Sequence, residues 1–153
     1  MSDSREGNCQ LLFVGAALLA PPAANRLSLE GRRGQSIFAK VGCDSCHLPS
    51  SRLAGVPSSL CAKQGSRHTP TFSLHDVGPV LADICLELAA PSEFRTQPLM
   101  GLSLNSRFLH EGGAATIEQA ILPHSGEAAA SRERFKALGE SDRKSLLQFL
   151  RSF

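Results

Sequence analysis

The spacing of apolar residues predicts amphipathic helices early in the domain and at its C-terminus. Between Arg32 and Val41, the apolar positions Ile37, Phe38 and Val41 recur at helical spacing, which predicts a short helix. Ser141 is placed to cap another helix that runs to the end of the chain. The apolar face of that helix consists of Leu146, Leu147, Phe149 and Leu150. Each helix therefore has one face suited to a core.

Two further helices are predicted between these. Thr116 and Gln119 form a capping-box pattern, so a helix should begin at Ile117 and end near Pro123. Residues 127–138 are rich in Ala and charged on one side, which predicts a second helix directly afterwards. The C-terminal third of the domain is therefore expected to be almost entirely helical.

The remaining stretches predict loops and no sheet. Residues 77–90 are rich in apolar side chains and are expected to form one or two helical turns before Pro91 stops them. Residues 48–70 and 94–108 are interrupted by Gly and Pro and show no sustained period. No strand pattern and no internal repeat is found. We therefore expect an all-α domain with long irregular loops.

The chain divides into an extension and one domain. Residues 1–30 contain a polar start, the apolar run Leu11–Ala20 and a Pro-Pro pair, whereas the predicted domain occupies residues 31–153. With 153 residues, of which 42% are apolar, the chain can form one domain with a real core but not two ordinary domains. The apolar run is too short to span a membrane as a helix.

Composition limits the classes of partner. The formal charge of +2 is spread along the sequence without a basic block, so neither a nucleic acid nor an anionic membrane is expected as a partner. The chain has eight Phe and no Trp or Tyr. Low aromatic content fits a domain in which a large apolar cofactor replaces part of the side-chain core.

The most specific signal is the pattern Cys43-Asp44-Ser45-Cys46-His47. C-x-x-C-H is the pattern by which haem is covalently attached as a c-type cofactor. Two thiols at this spacing reach the two vinyl groups of one porphyrin, and the adjacent imidazole then lies beneath the iron. The sequence therefore predicts one covalently attached haem c, held by Cys43, Cys46 and His47, with a second axial position still to be assigned.

Two other interpretations of the motif remain open. The two cysteines of the motif could also supply half of the ligands of a zinc site. A structural zinc site usually has a second close pair of ligands, however, and the other cysteines, Cys9, Cys61 and Cys85, are scattered singly. A thioredoxin-like thiol pair should open a helix within alternating strands and helices, and no such pattern surrounds the motif. A small zinc-binding or interaction protein is thus the alternative that lacks haem.

Haem c attachment outside the bacterial cytoplasm predicts export to the periplasm. The run Leu11–Ala20 has the length of a signal-peptide core, but Asp3 and Glu6 accompany Arg5 where a positive region is expected. The run is either a weak export signal or the remnant of a buried helix that ends at the Pro-Pro pair. If the compartment is oxidising, Cys61 and Cys85 can pair as a disulfide.

Downstream segments resemble a known family. The stretch Phe108–Ile121 (FLHEGGAATIEQAI) resembles the "YFHDG...ATLEEAV" signature in the C-terminal haem domain of bacterial di-haem cytochrome c peroxidases. The related di-haem, or thiol, oxidoreductases are more similar still. Their C-terminal domains contain segments similar in sequence to His75–Pro79 (HDVGP) and Phe94–Leu102 (FRTQPLMGL) of this chain. The resemblance covers about residues 17–153 and implies a cytochrome c-like fold, in which Gly34, Phe38 and the Leu146/Leu150 stripe are candidates for the crossing of the first and last helices.

The resemblance also implies the second iron ligand. In the peroxidases, a Met or a Tyr fourteen residues after the His of the signature ligates this haem, and the same count from His110 reaches His124. Ligation by His47 and His124 would close both axial positions, which favours electron transfer over substrate chemistry at this haem. Met100 and the remaining histidines, of which His68 is expected to be solvated, stay open as alternatives. His110 is expected to be a pocket residue, and Arg95 is a candidate partner for a haem propionate.

The chain also departs from these families. Their members carry two haems in two domains, and this sequence has a single C-x-x-C-H motif. The calcium site of the peroxidases is in doubt because Asn105 and Arg107 replace the usual Thr and Pro. We therefore expect an isolated haem domain that transfers electrons to a redox partner, which could be a separate haem-containing subunit. Peroxidase or oxidase activity is not expected from this polypeptide alone.

Overall fold

The computed structural model describes residues 25–47, 74–84 and 89–153. Within these ranges, four α-helices are present: α1 Leu29–Val41, α2 Ile117–Ile121, α3 Ala129–Lys136 and α4 Glu140–Leu150. Two strands, β1 Leu74–Asp76 and β2 Glu93–Arg95, and the 3-10 turns Cys43–Ser45, Pro79–Leu81, Leu102–Leu104 and Gly126–Ala128 complete the described elements. None of the described helices is long and apolar enough to cross a membrane.

Several predictions fall outside these ranges. The apolar run Leu11–Ala20, the loop 48–70, His68 and the proposed Cys61–Cys85 disulfide lie wholly or partly in residues that the structure does not describe. They remain predictions, as does the boundary between residues 30 and 31. Leu27 of the predicted extension packs against the core.

Helix α1 is longer than its apolar pattern indicated. It begins at Leu29, three residues before the predicted start, because the Ser28 hydroxyl caps it by accepting a hydrogen bond from the Gly31 N–H at 3.1 Å. It ends at Gly42, whose φ of 89° lies in the left-handed region that glycine adopts readily. The Gly42 N–H bonds the carbonyls of the last turn, so the chain turns sharply just before the haem motif.

Helices α1 and α4 cross at Gly34. A Cβ atom at this position would collide with the Ser145 carbonyl and the Phe149 side chain, so the two backbones approach closely only because residue 34 is glycine. Phe38 packs edge-on against Phe149 with ring centroids 5.4 Å apart. The predicted crossing of these helices is present: Phe38, Leu146 and Leu150 belong to its buried core, and Ser145 and Phe149 are the residues that meet Gly34.

The described core surrounds this crossing. Its buried residues come from all four helices and from the C-terminal residue of the chain: Ile37, Phe38, Val41, Ile117, Phe135, Leu146, Phe149, Leu150 and Phe153. The C-terminus is tied into the same region, because the Ser103 N–H and hydroxyl both donate to the Phe153 carbonyl, at 3.0 and 2.6 Å. The last residues of the chain therefore belong to the core.

A two-stranded antiparallel ribbon was not predicted. It pairs Leu74 with Arg95, His75 with Phe94 and Asp76 with Glu93. Our expectation of no strand was wrong because three-residue strands are too short to show an alternating pattern. The predicted helical turns of residues 77–90 are, where described, one 3-10 turn, Pro79–Leu81, that follows Gly78 in a positive-φ conformation (φ 83°).

The predicted helix starts near the C-terminus are partly correct. Thr116 caps α2 as expected, since its hydroxyl accepts from the Gln119 N–H at 3.1 Å. Helix α4, however, begins at Glu140 with Gly139 at its N-cap and no side-chain cap, so the prediction that Ser141 caps it was wrong. Glu140 and Asp142 in the first turn stabilise the positive end of the helix dipole instead.

Candidate functional site

A cavity of about 570 Å³ brings together the haem motif and the downstream segments. Its lining includes Cys43, Cys46, His47 and His124. Apolar side chains from α1, α2, α4 and the connecting loops form much of the remaining wall: Phe38, Leu99, Leu102, Ile117, Ile121, Leu146 and Leu150. This volume lies in the range of about 300–1,000 Å³ that is typical of ligand and cofactor sites.

The turn after α1 carries the motif into the cavity wall. The residues after Gly42 form a 3-10 turn, and the His47 N–H donates to the Cys43 carbonyl at 2.9 Å. The Ser45 hydroxyl closes the turn by donating to the Gly42 carbonyl at 2.7 Å. This local folding brings both thiols and the imidazole to one cavity, as two vinyl attachments and one iron ligand require.

The Cys43 thiol has the properties of a buried group rather than of a reactive thiolate. Burial, and secondarily the charge of Asp44, raise its pKa from 9.0 to about 11. Reactive redox cysteines instead have a lowered pKa in an electropositive, partly exposed setting. No disulfide joins Cys43 to Cys46. The thioredoxin-like interpretation therefore gains no support from this site.

His47 is half-buried, and its imidazole is neutral at pH 7. Burial, and secondarily the nearby His124, lower its pKa from 6.5 to about 4, although the Gln97 backbone opposes this shift. Its Nδ1 atom is buried and has no hydrogen-bond partner among the described residues. An unpaired buried polar atom ordinarily costs about 1–3 kcal/mol. A neutral imidazole on the wall of the cavity fits a metal ligand.

The helix that precedes His124 fixes the tautomer of its imidazole. Its Nδ1 lies 2.8 Å from the Ala120 carbonyl oxygen. Because a carbonyl only accepts, Nδ1 carries the proton and donates, which leaves the Nε2 lone pair available to a metal. Burial also lowers the His124 pKa. The carbonyl hydrogen bond agrees with the predicted role, and ligation of iron by His124 stays a prediction.

The other candidate residues also reach the cavity. His110 has carboxylates on both ring nitrogens, Asp83 at 3.3 Å from Nε2 and Glu111 at 3.1 Å from Nδ1. Its ring also stacks on Phe94 at a centroid distance of 4.7 Å. Both nitrogens are thus engaged, which fits a pocket residue rather than an iron ligand. Arg95 and Met100 line the cavity and are exposed.

Sequence reasoning missed the residues that hold the motif from α3. The Arg134 Nε donates to the Val41 carbonyl at 2.7 Å, and the Ser131 hydroxyl donates to the Gly42 carbonyl at 3.3 Å. These two bonds satisfy carbonyls at the end of α1, directly before Cys43. The partners are about ninety residues apart, and nothing in the local pattern around residues 131–134 could have predicted the contact.

A conventional metal site is not formed in the described part of the chain. No group of three or more His, Cys, Asp or Glu side chains there could hold a metal ion by itself. A zinc site needs about four protein ligands, so the zinc interpretation gains no support. Haem iron needs only two axial ligands from the protein, because the porphyrin supplies the other four.

The family comparison matches nearly the whole sequence. The model of the family described as "Di-haem oxidoreductase, putative peroxidase" matches residues 4–153. The chain belongs to this di-haem oxidoreductase family. The predicted resemblance is therefore confirmed, and the family description points to haem as the cofactor and to oxidoreductase chemistry. No curated protein and no solved structure matches the chain.

The segments similar to other di-haem oxidoreductases converge on one place in the fold. His75–Pro79 contains most of β1 and the start of the turn after it, whereas Phe94–Leu102 begins in β2. The stretch Phe108–Ile121 contains a bridge between Phe108 and Ala114 and continues into α2. All three contribute residues to the cavity that holds the haem motif. In this member of the family, these segments therefore form the side of the cavity that the motif itself does not supply.

Proposed function

We propose that this chain is a c-type haem domain that transfers electrons. In this proposal Cys43 and Cys46 attach one haem, while His47 and His124 bind its iron. The observation that carries the proposal is the pair of half-buried histidines on the wall of one cavity, each with a lowered pKa and one of them oriented so that its Nε2 lone pair is available. When bound, the haem supplies a one-electron redox couple at its iron.

The crossing of α1 and α4 supports a cytochrome c-like fold for the domain. The haem motif directly follows α1, and the buried face of α4 supplies Leu146 and Leu150 to the cavity wall. This arrangement would place apolar side chains against a bound haem. A dry, apolar setting is one of the factors by which a protein sets a haem potential.

The chain's own residues would keep the site closed. His47 and His124 would hold the iron between two neutral imidazoles, and a haem held in this way would offer no open position to peroxide or another substrate. Nitrogen ligands also favour ferric iron, so the potential should lie below that of a His/Met site. The exposed guanidinium of Arg95, on the cavity wall, is suited to bind a propionate bidentately.

The second candidate function is a peroxidase-like or thiol oxidoreductase enzyme, which the family description favours. Peroxide chemistry at this haem would require His124 to leave the iron. Alternatively, a second haem would supply the reactive site, but these 153 residues contain no second C-x-x-C-H motif. We therefore propose a redox partner protein, with a separate haem-containing subunit as one form of it, and a periplasmic location. No calcium site is proposed.

Ligand substitution tests the proposal directly. The chain is exported in a host that matures haem c, and a pyridine haemochrome spectrum measures the attached haem. We expect a six-coordinate low-spin spectrum in the wild type and a high-spin spectrum in His124→Ala. Met100→Leu is the matched control, because Met100 is the competing ligand on the same cavity, and it should leave the spectrum unchanged.

Three results would contradict parts of this proposal. Absence of a covalent haem band would exclude both haem functions and favour the zinc interpretation, which metal analysis then checks. A change in Met100→Leu without one in His124→Ala would reassign the ligand. A rapid spectral change when the wild type is mixed with peroxide would support the enzyme instead of the closed site.

A further inference from the structure

The turn that carries His124 is held by a second segment, which we call the strap and define as His75–Gly78. The Ser125 N–H and the Ser125 hydroxyl both donate to the Val77 carbonyl, at 3.0 and 2.9 Å. Ser125 directly follows His124, and these bonds connect it to a strap 48 residues earlier in the chain. The backbone beside His124 is therefore fixed from outside its own helix.

Glu127, two residues after Ser125, also binds the strap. Its Oε2 lies 2.9 Å from His75 Nδ1, and its Oε1 accepts from the Asp76 N–H at 3.2 Å. The Asp76 side chain in turn accepts from the Gly78 N–H at 2.7 Å. The strap is therefore itself held in shape, so its bonds to Ser125 come from a preorganised segment.

Glycines permit the close approach. Gly78 has a φ of 83°, and a Cβ atom there would collide with the Ser125 hydroxyl. Gly126 has a φ of 54°, and a Cβ atom there would collide with the Asp76 carbonyl. The two segments therefore fit together only when both positions lack a side chain. This packing gives a physical reason for glycine in the His75–Pro79 segment, to which the sequence had assigned no role.

We propose that the strap is a positioning element for His124. The inference rests on the proposed function, because it assumes that His124 binds the iron. Helix α2, which precedes His124, has only five residues, and the Ala120 carbonyl orients the ring from one side only. The strap supplies the second fixed point through Ser125. It keeps the imidazole in place for the iron and makes its displacement by another ligand unfavourable.

Cyanide competition measures this role, because cyanide binds ferric haem only where an axial ligand has left. Loss of a partner that orients a metal ligand typically costs about 10–100-fold in metal affinity or activity. We therefore expect Ser125→Ala and Gly78→Ala to raise the apparent cyanide affinity about tenfold or more. Ser125→Thr keeps the hydroxyl and should restore an affinity near that of the wild type.

Two matched controls separate positioning from general loss of stability. Ser152→Ala removes a buried hydroxyl that donates to the Phe149 carbonyl at 2.6 Å, away from the cavity wall. Gly139→Ala adds a Cβ atom where nothing lies within 4 Å. Neither should change the cyanide affinity, even where the melting temperature falls.

The outcomes distinguish the inference from the function on which it rests. If the wild type has low-spin haem and the strap variants bind cyanide as weakly as the wild type does, the positioning role of the strap is overturned but the proposed function is not. An equal rise in Ser152→Ala would overturn it as well, because the effect would then be general. A wild type with no haem, or with high-spin haem, would overturn the proposed function and the strap together.

Discussion

At the residue scale, burial keeps both candidate ligands in their neutral form. His47 lies in the cavity wall with a pKa of about 4, and burial acts on His124 in the same direction. A neutral imidazole is the form that binds a metal. The Ala120 carbonyl adds what burial does not, because it determines which nitrogen of His124 carries the proton. Burial and this hydrogen bond together keep His124 neutral, with its Nε2 lone pair available to a metal.

These shifts give a pH dependence. The folded protein binds protons at these histidines less readily than the unfolded chain, so between pH 6.5 and about 4 its free energy of unfolding falls as the pH falls. We therefore expect the free energy of unfolding of the haem-free protein, measured by urea denaturation, to fall as the pH is lowered from 6.5 towards 4. A haem-free protein whose stability is constant over this range would contradict the burial of His47.

At the element scale, the end of α1 is stabilised from α3. The last carbonyls of a helix lack partners within it, and here the Arg134 guanidinium and the Ser131 hydroxyl supply them. The Arg134 charge also opposes the rise in the Cys43 pKa. Helix α3 therefore fixes the point at which α1 stops and the haem motif begins.

Arg134→Leu should show how much this contact contributes. A hydrogen bond from a charged group is worth about 1.5–3 kcal/mol, so we expect the free energy of unfolding to fall by about that amount in urea denaturation. The yield of attached haem should also fall, because the turn at Cys43 loses its support. Arg32→Leu is the control, since Arg32 is exposed on α1 and should change stability by less than about 0.5 kcal/mol. Equal effects of the two substitutions would contradict the assigned role.

At the scale of the whole molecule, the crossing of α1 and α4 joins the two ends of the described chain. It brings the helix before the haem motif against the helix that ends the sequence. The Asn25 N–H donates to the Ser152 carbonyl at 2.9 Å, and Phe153 packs on Phe149 at a centroid distance of 5.1 Å. The same contacts form the core and support one wall of the cavity.

Gly34→Ala tests the crossing. Alanine is the better helix former by about 1 kcal/mol, yet a Cβ atom at this position would force α1 away from Ser145. Overpacking of a core costs about 1–3 kcal/mol, so we expect a net loss of stability and a lower melting temperature by calorimetry. Gln35→Ala, on the exposed face of the same helix, should be neutral or stabilising. A Gly34→Ala protein as stable as the wild type would show that the helices can separate at no cost.

The sequence could predict features that depend on residues close together in the chain. The Cys43–His47 spacing, the Thr116 cap and the apolar face of α4 are visible in a few consecutive residues, and so were predicted. The cap of α4 was assigned wrongly because Ser141 and Gly139 lie within two residues of each other, and only the backbone shows which one precedes the helix. The ribbon was missed because a three-residue strand owes its pairing to its partner and not to its own pattern.

By itself, the sequence determined the family, the haem motif, the order of the main helices and the choice of His124 as candidate second ligand. Only the tertiary structure decided which groups hold that ligand and that motif in place. The strap reaches Ser125 across 48 residues and Arg134 reaches Val41 across 93. Contacts of this kind arise when a core forms, because burial brings distant polar groups together and then requires each of them to find a partner.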